Sequence, residues 1–146
     1  MNKIFEYIYK MKNVFTLTLY LLLILKGNSA TSSYDYSSYN AVSTNTNLSG
    51  QTLTSLTEDQ SVVYNTFSGI TISDSTIEKT SGHSSNSENR EFYGVNAAVL
   101  VQGGGVTITG GTITTEAKGA NSVCATNGGT VTISGTTIMS TGSSSA

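Results

Sequence analysis

The stretch NAAVLVQGGGVTITGGTIT at residues 96–114 decides the fold, because it recurs as NSVCATNGGTVTISGTTIM at residues 121–139. The two copies align without gaps from Asn96 on Asn121 onward, with glycine on glycine and isoleucine on isoleucine. Periods of roughly 20–50 residues are typical of proteins in which each repeat is one supersecondary unit stacked on the next. The sequence is therefore predicted to form a repeat architecture.

A weaker copy, VVYNTFSGITISDSTIEKT, occupies residues 62–80. Its Ile70 matches Val106 at a distance of 36 residues, which is 11 more than the period. The surplus predicts an insertion somewhere in residues 80–95, called the insertion below. Residues 48–61 show partial alternation and are interpreted as a degenerate entry coil.

Inside each copy the apolar period is two. Val106 and Ile108 alternate with threonines, and the same phase holds in the other copies. Strict alternation of β-branched residues is typical of short, half-buried strands. Glycines interrupt these strands where the backbone has to turn.

A single repeat unit with two or three short strands cannot bury its apolar face alone. Stacking solves this by forming interior columns of aligned side chains. The predicted columns are Ile70–Val106–Val131, Ile72–Ile108–Ile133 and Ile77–Ile113–Ile138. Parallel crossovers are right-handed by strong preference. The prediction is an all-β fold, a right-handed parallel β-helix (β-solenoid) of about three coils over residues 48–146.

An antiparallel sandwich is the competing fold, and it would require hairpin turns every 8–12 residues or so. The gap-free match of residues 96–114 with residues 121–139 argues against it. In this alignment Cys124 falls beside Val63 and Val99, and both faces of that strand are apolar. The direction in which Cys124 points is therefore left open, and a packed free thiol is expected.

Composition excludes several classes of function. The chain has 146 residues, no proline, one cysteine, one histidine and 11% charged residues. One cysteine excludes an intramolecular disulfide framework, and one cysteine with one histidine cannot form a Cys/His zinc site. A formal charge of −2 gives no basic footprint for nucleic acid. No metal and no cofactor are expected.

Residues 1–30 are predicted to be a helical secretory signal peptide. Three lysines precede Val14–Leu25, a run of twelve residues without a charge, and small residues follow. Cleavage is expected after Ser29 or Ala30, and Met11 is an alternative start. The run is shorter than the roughly 20 residues that cross a bilayer, so no membrane span is expected after cleavage. The alternatives are a signal anchor and a buried core helix.

Residues 31–47 are predicted to be a disordered linker rich in Ser, Thr and Tyr, because they offer too little apolar area to offset chain entropy. Asn47 opens the sequon Asn-Leu-Ser, a possible N-glycosylation site in a eukaryotic secretory pathway. At the other end, the polar tail of the repeats offers no cap for the last coil. The β-helix is therefore expected to be incomplete at its C-terminus.

The segments GVNAAVLVQGGGVTITGGTITT (94–115) and ATNGGTVTISGTTI (125–138) resemble the coils of adhesin-like, right-handed β-helix proteins of pectin-lyase-like architecture, which microbes secrete or display. Residues 86–100 share the resemblance. It implies an extracellular or cell-surface protein that binds glycans, polysaccharide or cell-surface components without catalysis. Two alternatives are a structural stalk or spacer and a pectin-lyase-like enzyme.

The enzymatic alternative requires clustered carboxylates, usually with an Arg or Lys as base. Within the two full copies and the linking residues only Glu116 and Lys118 are charged, and the coil positions carry Thr, Ser and Gly instead. No catalytic residue is therefore predicted.

The candidate binding site is the loop SGHSSNSENREFYG at residues 81–94, because insertions in solenoids often line the binding face. Arg90 and its neighbouring carboxylates offer hydrogen bonds to sugar hydroxyls, and the aromatic rings offer stacking surfaces. The candidate residues are His83, Glu88, Arg90, Glu91, Phe92 and Tyr93. In the alternative interpretation both aromatic rings tuck under the loop as a small satellite core.

Secretion of the chain from a suitable host tests the signal-peptide prediction. We expect intact-mass and N-terminal sequencing data to show a product that begins at Ala30 or Thr31, which corresponds to cleavage after Ser29 or Ala30. An unprocessed product that retains residues 1–30 would contradict the prediction and favour a signal anchor.

Overall fold

The computed structural model describes residues 35–36 and 40–143. The predicted signal peptide, its cleavage site at Ser29 or Ala30, and the alternative start at Met11 lie outside the described residues. So do residues 31–34 and 37–39 of the predicted linker. None of the helices in the described part of the chain is long and apolar enough to cross a membrane.

Strands dominate the described part of the chain, which contains twelve of them and one short helix. Their bounds are β1 Ala41–Thr44, β2 Leu48–Ser49, β3 Thr52–Thr54, β4 Ser61–Asn65, β5 Ile70–Ser73, β6 Thr76–Lys79, α1 Ser87–Tyr93, β7 Val99–Gln102, β8 Gly105–Thr109, β9 Thr112–Thr115, β10 Val123–Thr126, β11 Thr130–Ser134 and β12 Thr137–Ser140.

The strands form three parallel sheets of four strands each. Sheet A has the order β1-β4-β7-β10, sheet B the order β2-β5-β8-β11 and sheet C the order β3-β6-β9-β12. Each coil, meaning one passage of the chain through A, B and C, therefore stacks on the coil before it. This arrangement is compatible with a β-solenoid, and its parallel pairings exclude the antiparallel sandwich.

The predicted interior columns are confirmed by the strand register. Ile72 pairs with Ile108, which pairs with Ile133, and the columns through Val106 and Ile113 also hold. Ile72, Ile77, Ile108 and Ile113 are each only 1% exposed and belong to one apolar cluster. The core of the protein is this set of columns, which runs between the three sheets.

The ordered coils begin earlier than predicted. Ala41–Thr44, placed in the predicted linker, forms β1 and pairs in parallel with β4. Ala41 and Ser43 are half-buried and alternate with exposed residues. Backbone pairing to an existing strand supplies the stability that this polar segment lacks on its own, so a short coil of β1, β2 and β3 precedes the three predicted coils.

The register of sheet A differs from the alignment by one residue. Cys124 pairs with Leu100, and Val123 pairs with Val99, so Cys124 does not belong to the column of Val63 and Val99. The turn after β10 holds three residues (127–129), whereas the turn after β7 holds two (103–104). A slip of one residue moves a side chain to the other face of a sheet. Cys124 therefore lies on the outer face of sheet A.

One corner between sheets B and C requires glycine. Gly111 has a φ of +68°, and a Cβ atom there would collide with the backbone of Ser75 in the preceding coil. Both the left-handed backbone and the close approach of two coils exclude a side chain. Gly111, which the sequence marks as part of a turn, thus also permits the close approach of two coils.

The interior columns predict a sharp contrast between two neighbouring residues of β8. Ile108→Ala leaves a cavity in the core and is expected to lower the free energy of unfolding by about 2–5 kcal/mol. Thr107→Ala changes an exposed side chain and is expected to change it by roughly 0.5 kcal/mol or less. Chemical denaturation measures both; equal losses, or a larger loss for Thr107→Ala, would contradict the column assignment.

Candidate functional site

The insertion carries the short helix α1 between β6 and β7. Asn86 caps its first turn, since the Asn86 Oδ1 accepts hydrogen bonds from the backbone N–H groups of Glu88 (2.8 Å) and Asn89 (3.2 Å). Gly94 ends the helix in the left-handed conformation. Capping at both ends fixes a helix that is too short to be stable by itself.

The end of α1 packs on the outer face of sheet A. A Cβ atom at Gly94 would lie 2.7 Å from Leu100 Cδ1 and close to the Cys124 thiol, so only glycine fits there. Leu100 belongs to a second apolar cluster with Tyr64 and Ala97, against which Cys124 packs. Burial raises the pKa of the Cys124 thiol, which disfavours the thiolate. The expectation of a packed free thiol agrees with this position.

Tyr36 joins this cluster from the predicted linker. Its ring stacks on that of Tyr64, with centroids 5.9 Å apart, and its hydroxyl donates to the Tyr93 carbonyl at 2.7 Å. Burial raises the pKa of the Tyr64 phenol. A tyrosine that the sequence placed in a disordered segment therefore contacts both sheet A and the insertion.

Hydrogen bonds hold the rest of the insertion to two connecting segments of the stack, one between β3 and β4 and one between β9 and β10. The Lys118 backbone N–H donates to His83 Nδ1 at 3.0 Å, and the Asn121 side-chain amide donates to the Arg90 carbonyl at 3.0 Å. Ser85 donates to the Asp59 carboxylate from both its backbone and its hydroxyl. These hydrogen bonds fix the position of the loop at His83, Ser85 and Arg90.

The predicted site residues separate into two groups. Arg90 and Glu91 form an ion pair of 3.1 Å, and Phe92 directly follows them with 69% of its surface exposed. His83 and Glu88 are exposed, and Tyr93 is half-buried. His83 accepts its hydrogen bond from Lys118 outside the loop, whereas the Glu88 backbone N–H donates to Asn86 within it. The alternative in which both aromatic rings tuck under the loop does not hold for Phe92.

Arg90 is the most constrained of these side chains. Its aliphatic part crosses Gly119 so closely that a Cβ atom there would collide with Arg90 Cδ. The side chain is 14% exposed, and its Nε is buried without a hydrogen-bond partner. A guanidinium held in one position and paired with the Glu91 carboxylate presents its donors in a fixed geometry.

Asn47 lies in the turn between β1 and β2 and is exposed. Its Oδ1 accepts a hydrogen bond from the Thr71 backbone N–H at 2.9 Å. The sequon is therefore on the surface of the coil stack, and glycosylation at Asn47 stays a prediction.

A buried lysine was missed by the sequence analysis. Lys79 is fully buried in the inner phase of sheet C, two residues after Ile77, and its column continues through Thr115 and Ser140. Its Nζ donates to Ser55 Oγ at 3.3 Å and to the Thr57 carbonyl. The alternation with period two in the sequence places residue 79 on the same inner face as Ile77, although the residue is charged.

Lys79 links the coil core to the base of the insertion. Burial lowers the pKa of its ammonium group from 10.5 to about 8, and the Asp59 carboxylate partly opposes this shift. Asp59 in turn accepts the hydrogen bonds of Ser84 and Ser85. The Asp59 carboxylate, which anchors the insertion, therefore also favours the charged form of the buried lysine.

Comparison with protein-family models, with curated proteins and with solved structures finds no match to this chain. Over residues 35–36 and 40–143, no group of three or more His, Cys, Asp or Glu side chains is placed to hold a metal ion. The functional argument therefore rests on the geometry of the insertion and on the coil stack.

The buried lysine predicts a specific dependence of stability on pH. Between pH 8 and 10.5 the unfolded chain keeps the Lys79 proton that the folded chain releases, so stability rises with pH. Lys79 is expected to raise the free energy of unfolding by up to about 1.4 kcal/mol per pH unit in this range. Burial raises the pKa values of Tyr64 and Cys124, so these two groups lower the stability as the pH rises. The effect of Lys79 is therefore measured as a difference between variants that share both groups.

Chemical denaturation at pH 8–9.5 measures this effect as the difference between the wild type and Lys79→Met. We expect Lys79→Met to remove the rising contribution. The matched control is Lys118→Met, whose side chain is exposed, and it should keep the wild-type slope. If the free energy of unfolding changes with pH at the same rate in all three proteins, Lys79 does not have the lowered pKa of a buried lysine.

Proposed function

We propose that the chain is a secreted or surface-displayed, adhesin-like, right-handed parallel β-helix that binds glycans or polysaccharide without catalysis. The insertion supplies the contact surface, and the coil stack holds it in place. The observation that carries the proposal is the exposure of Phe92, whose ring lies on a capped helix and directly follows the Arg90–Glu91 pair in the chain.

The exposed Phe92 ring offers a large apolar area for contact with a ligand. A pyranose ring offers a matching partner, since its face of C–H groups packs flat on an aromatic ring. Hydroxyls at the rim of the sugar can then accept from the Arg90 guanidinium and donate to the Glu91 carboxylate. Arg90 and Glu91 directly precede Phe92 in the chain.

Rigidity supports the same proposal. The insertion is anchored by Asp59, by Lys118 and by Asn121, and its underside packs on sheet A. A surface that is ordered before binding loses less conformational entropy on binding. Single sugar contacts are weak, and multivalent attachment to a polymer would strengthen them.

A structural stalk or spacer is the second candidate. It is favoured by the continuous parallel pairing of four strands in each of the three sheets, which makes each coil a support for the next. In that case binding would belong to another part of the assembly, and the insertion would only cover sheet A. A pectin-lyase-like enzyme is a third candidate, which turnover of pectin-like polymers in the presence of Ca²⁺ would reveal.

Phe92→Ala tests the proposal against its alternatives more sharply than deletion of the loop, because deletion also removes the contacts to Asp59, Lys118 and sheet A. The probes are soluble pectin, mannan and chitin fragments, measured by affinity electrophoresis and calorimetry. We expect at least one probe to bind and Phe92→Ala to weaken that binding by about tenfold or more.

Phe67→Ala is the matched control, since Phe67 is 59% exposed in a turn outside the insertion. It should leave the affinity unchanged. Equal affinity of the wild type and both variants would show that Phe92 does not contact the polysaccharide. That result would favour the structural stalk or spacer. Loss of binding in both variants would indicate nonspecific aromatic adsorption.

A further inference from the structure

The exposed side of α1 carries two carboxylates together with the Phe92 ring. Residues three and four positions apart lie on the same side of a helix, with Cβ atoms about 5–6 Å apart. Glu88 is therefore a neighbour of both Glu91 and Phe92. All three residues are exposed, whereas the other residues between 89 and 93 are half-buried. We call the surface formed by Glu88, Glu91 and Phe92 the outer face of α1.

The one basic residue of α1 contributes little to this face. Arg90 pairs with Glu91, but its side chain is only 14% exposed, whereas that of Glu91 is 58% exposed. The Arg90 side chain instead crosses Gly119 in the connection between β9 and β10. A ligand on the outer face therefore meets more of the carboxylate of this pair than of its guanidinium.

The second carboxylate, that of Glu88, has no positive partner. Glu88 forms no ion pair with any residue that the structure describes, and Asn86 binds only its backbone N–H. Its position in the first turn of α1 is favourable for a negative charge, because the helix dipole is positive at that end. The Glu88 carboxylate is thus compatible with the helix and accessible to a ligand.

The rest of the described chain has the same sign of charge. Eight Asp and Glu side chains stand against three Lys and Arg side chains in residues 35–36 and 40–143, and one of the three, Lys79, is fully buried. Like charges repel over roughly 10 Å at moderate ionic strength. An anionic polymer is therefore disfavoured at the outer face of α1.

A protonated amino sugar fits this face. Its pyranose ring can stack on Phe92, and an ammonium group at the rim of the sugar is then within reach of a glutamate one helical turn away. Hydrogen bonds between an ammonium and a carboxylate are charge-assisted and stronger than those of a neutral hydroxyl. The aromatic ring and the carboxylate of Glu88 therefore favour the same ligand.

We propose that the outer face of α1 selects polysaccharides whose amino sugars carry protonated amino groups, and that Glu88 determines this specificity. The inference rests on the proposed glycan binding at Phe92 and adds the charge class of the polymer. A neutral polysaccharide can stack on Phe92 but forms no ion pair with Glu88. An anionic one such as pectin is repelled by Glu88 and Glu91.

Two oligomers of equal length test the proposal, one of glucosamine and one of N-acetylglucosamine, because acetylation removes the charge of the amino group. Calorimetry is carried out at low ionic strength in a mildly acidic buffer, in which the amino groups are protonated. Single exposed ion pairs are weak, so we expect the wild type to bind the glucosamine oligomer about threefold or more tightly than the acetylated one. Added salt should remove this preference, since it screens exposed charges.

Glu88→Gln keeps the size of the side chain and removes its charge. This variant is expected to bind the glucosamine oligomer about threefold less tightly than the wild type does. Its affinity for the acetylated oligomer should stay unchanged, which also shows that the insertion is folded. Asp74→Asn is the matched control, because Asp74 is exposed in the turn between β5 and β6 and asparagine tolerates its left-handed backbone. It changes the net charge equally and should keep the wild-type preference.

Three results would overturn the proposal and leave glycan binding intact, provided that Phe92→Ala weakens the affinity for both oligomers. They are equal or tighter binding of the acetylated oligomer by the wild type, a preference that Glu88→Gln retains, and a preference that Asp74→Asn loses as well. Failure of the wild type to bind either oligomer, mannan or pectin would overturn the proposed function and this inference together.

Amide chemical shifts of the wild type decide the matter if Glu88→Gln weakens the binding of both oligomers. The glucosamine oligomer should shift the amide signals of Glu88 and Phe92 and leave that of Asp74 unchanged. Shifts confined to residues outside α1 would equally overturn the proposal.

Discussion

The structure depends on one constraint, the parallel pairing of each strand with the equivalent strand of the next coil. In the described residues no strand pairs with another strand of its own coil. A coil therefore has neither a closed hydrogen-bond ladder nor a buried apolar face until its neighbour is present. The absence of proline agrees with this constraint, because proline cannot donate a backbone hydrogen bond to a ladder.

The candidate site follows from the same constraint. The outer face of sheet A offers a second apolar column, Tyr64–Leu100–Cys124, and the insertion packs on it through Gly94. Asp59, which lies near the buried Lys79, anchors the beginning of the insertion. The loop is thus positioned by two columns of the stack, one outside sheet A and one inside sheet C, and Phe92 is left facing solvent.

The sequence predicted the columns through Ile72, Ile77 and Val106 correctly, because the alternation of period two and the longer repeat reinforce each other. It placed Cys124 in the wrong column because one additional turn residue shifts sheet A alone. It missed β1 because Ala41–Thr44 is stabilised by backbone pairing rather than by its own side chains. No local rule reveals either effect.

The position of the insertion was predicted from the sequence, but its internal arrangement was not. The surplus residues located the insertion, and its composition selected Arg90, Glu91 and Phe92 as candidates. The rotation of α1 about its axis, relative to sheet A, decides which aromatic ring is exposed. The packing of α1 on sheet A joins distant parts of the chain and is not visible in the local sequence. The alternation of period two indicates an interior position for Lys79, but a charged side chain is not expected in a core.

Methyl NOE spectroscopy tests the coil stacking most directly, because the three isoleucines of one column are far apart in the sequence and meet only if the coils stack. The structure predicts NOEs from the Ile108 methyl groups to those of both Ile72 and Ile133, its partners in the coils on either side. Their absence, together with cross-strand NOEs between β8 and β9 of the kind that an antiparallel hairpin produces, would contradict the parallel stack.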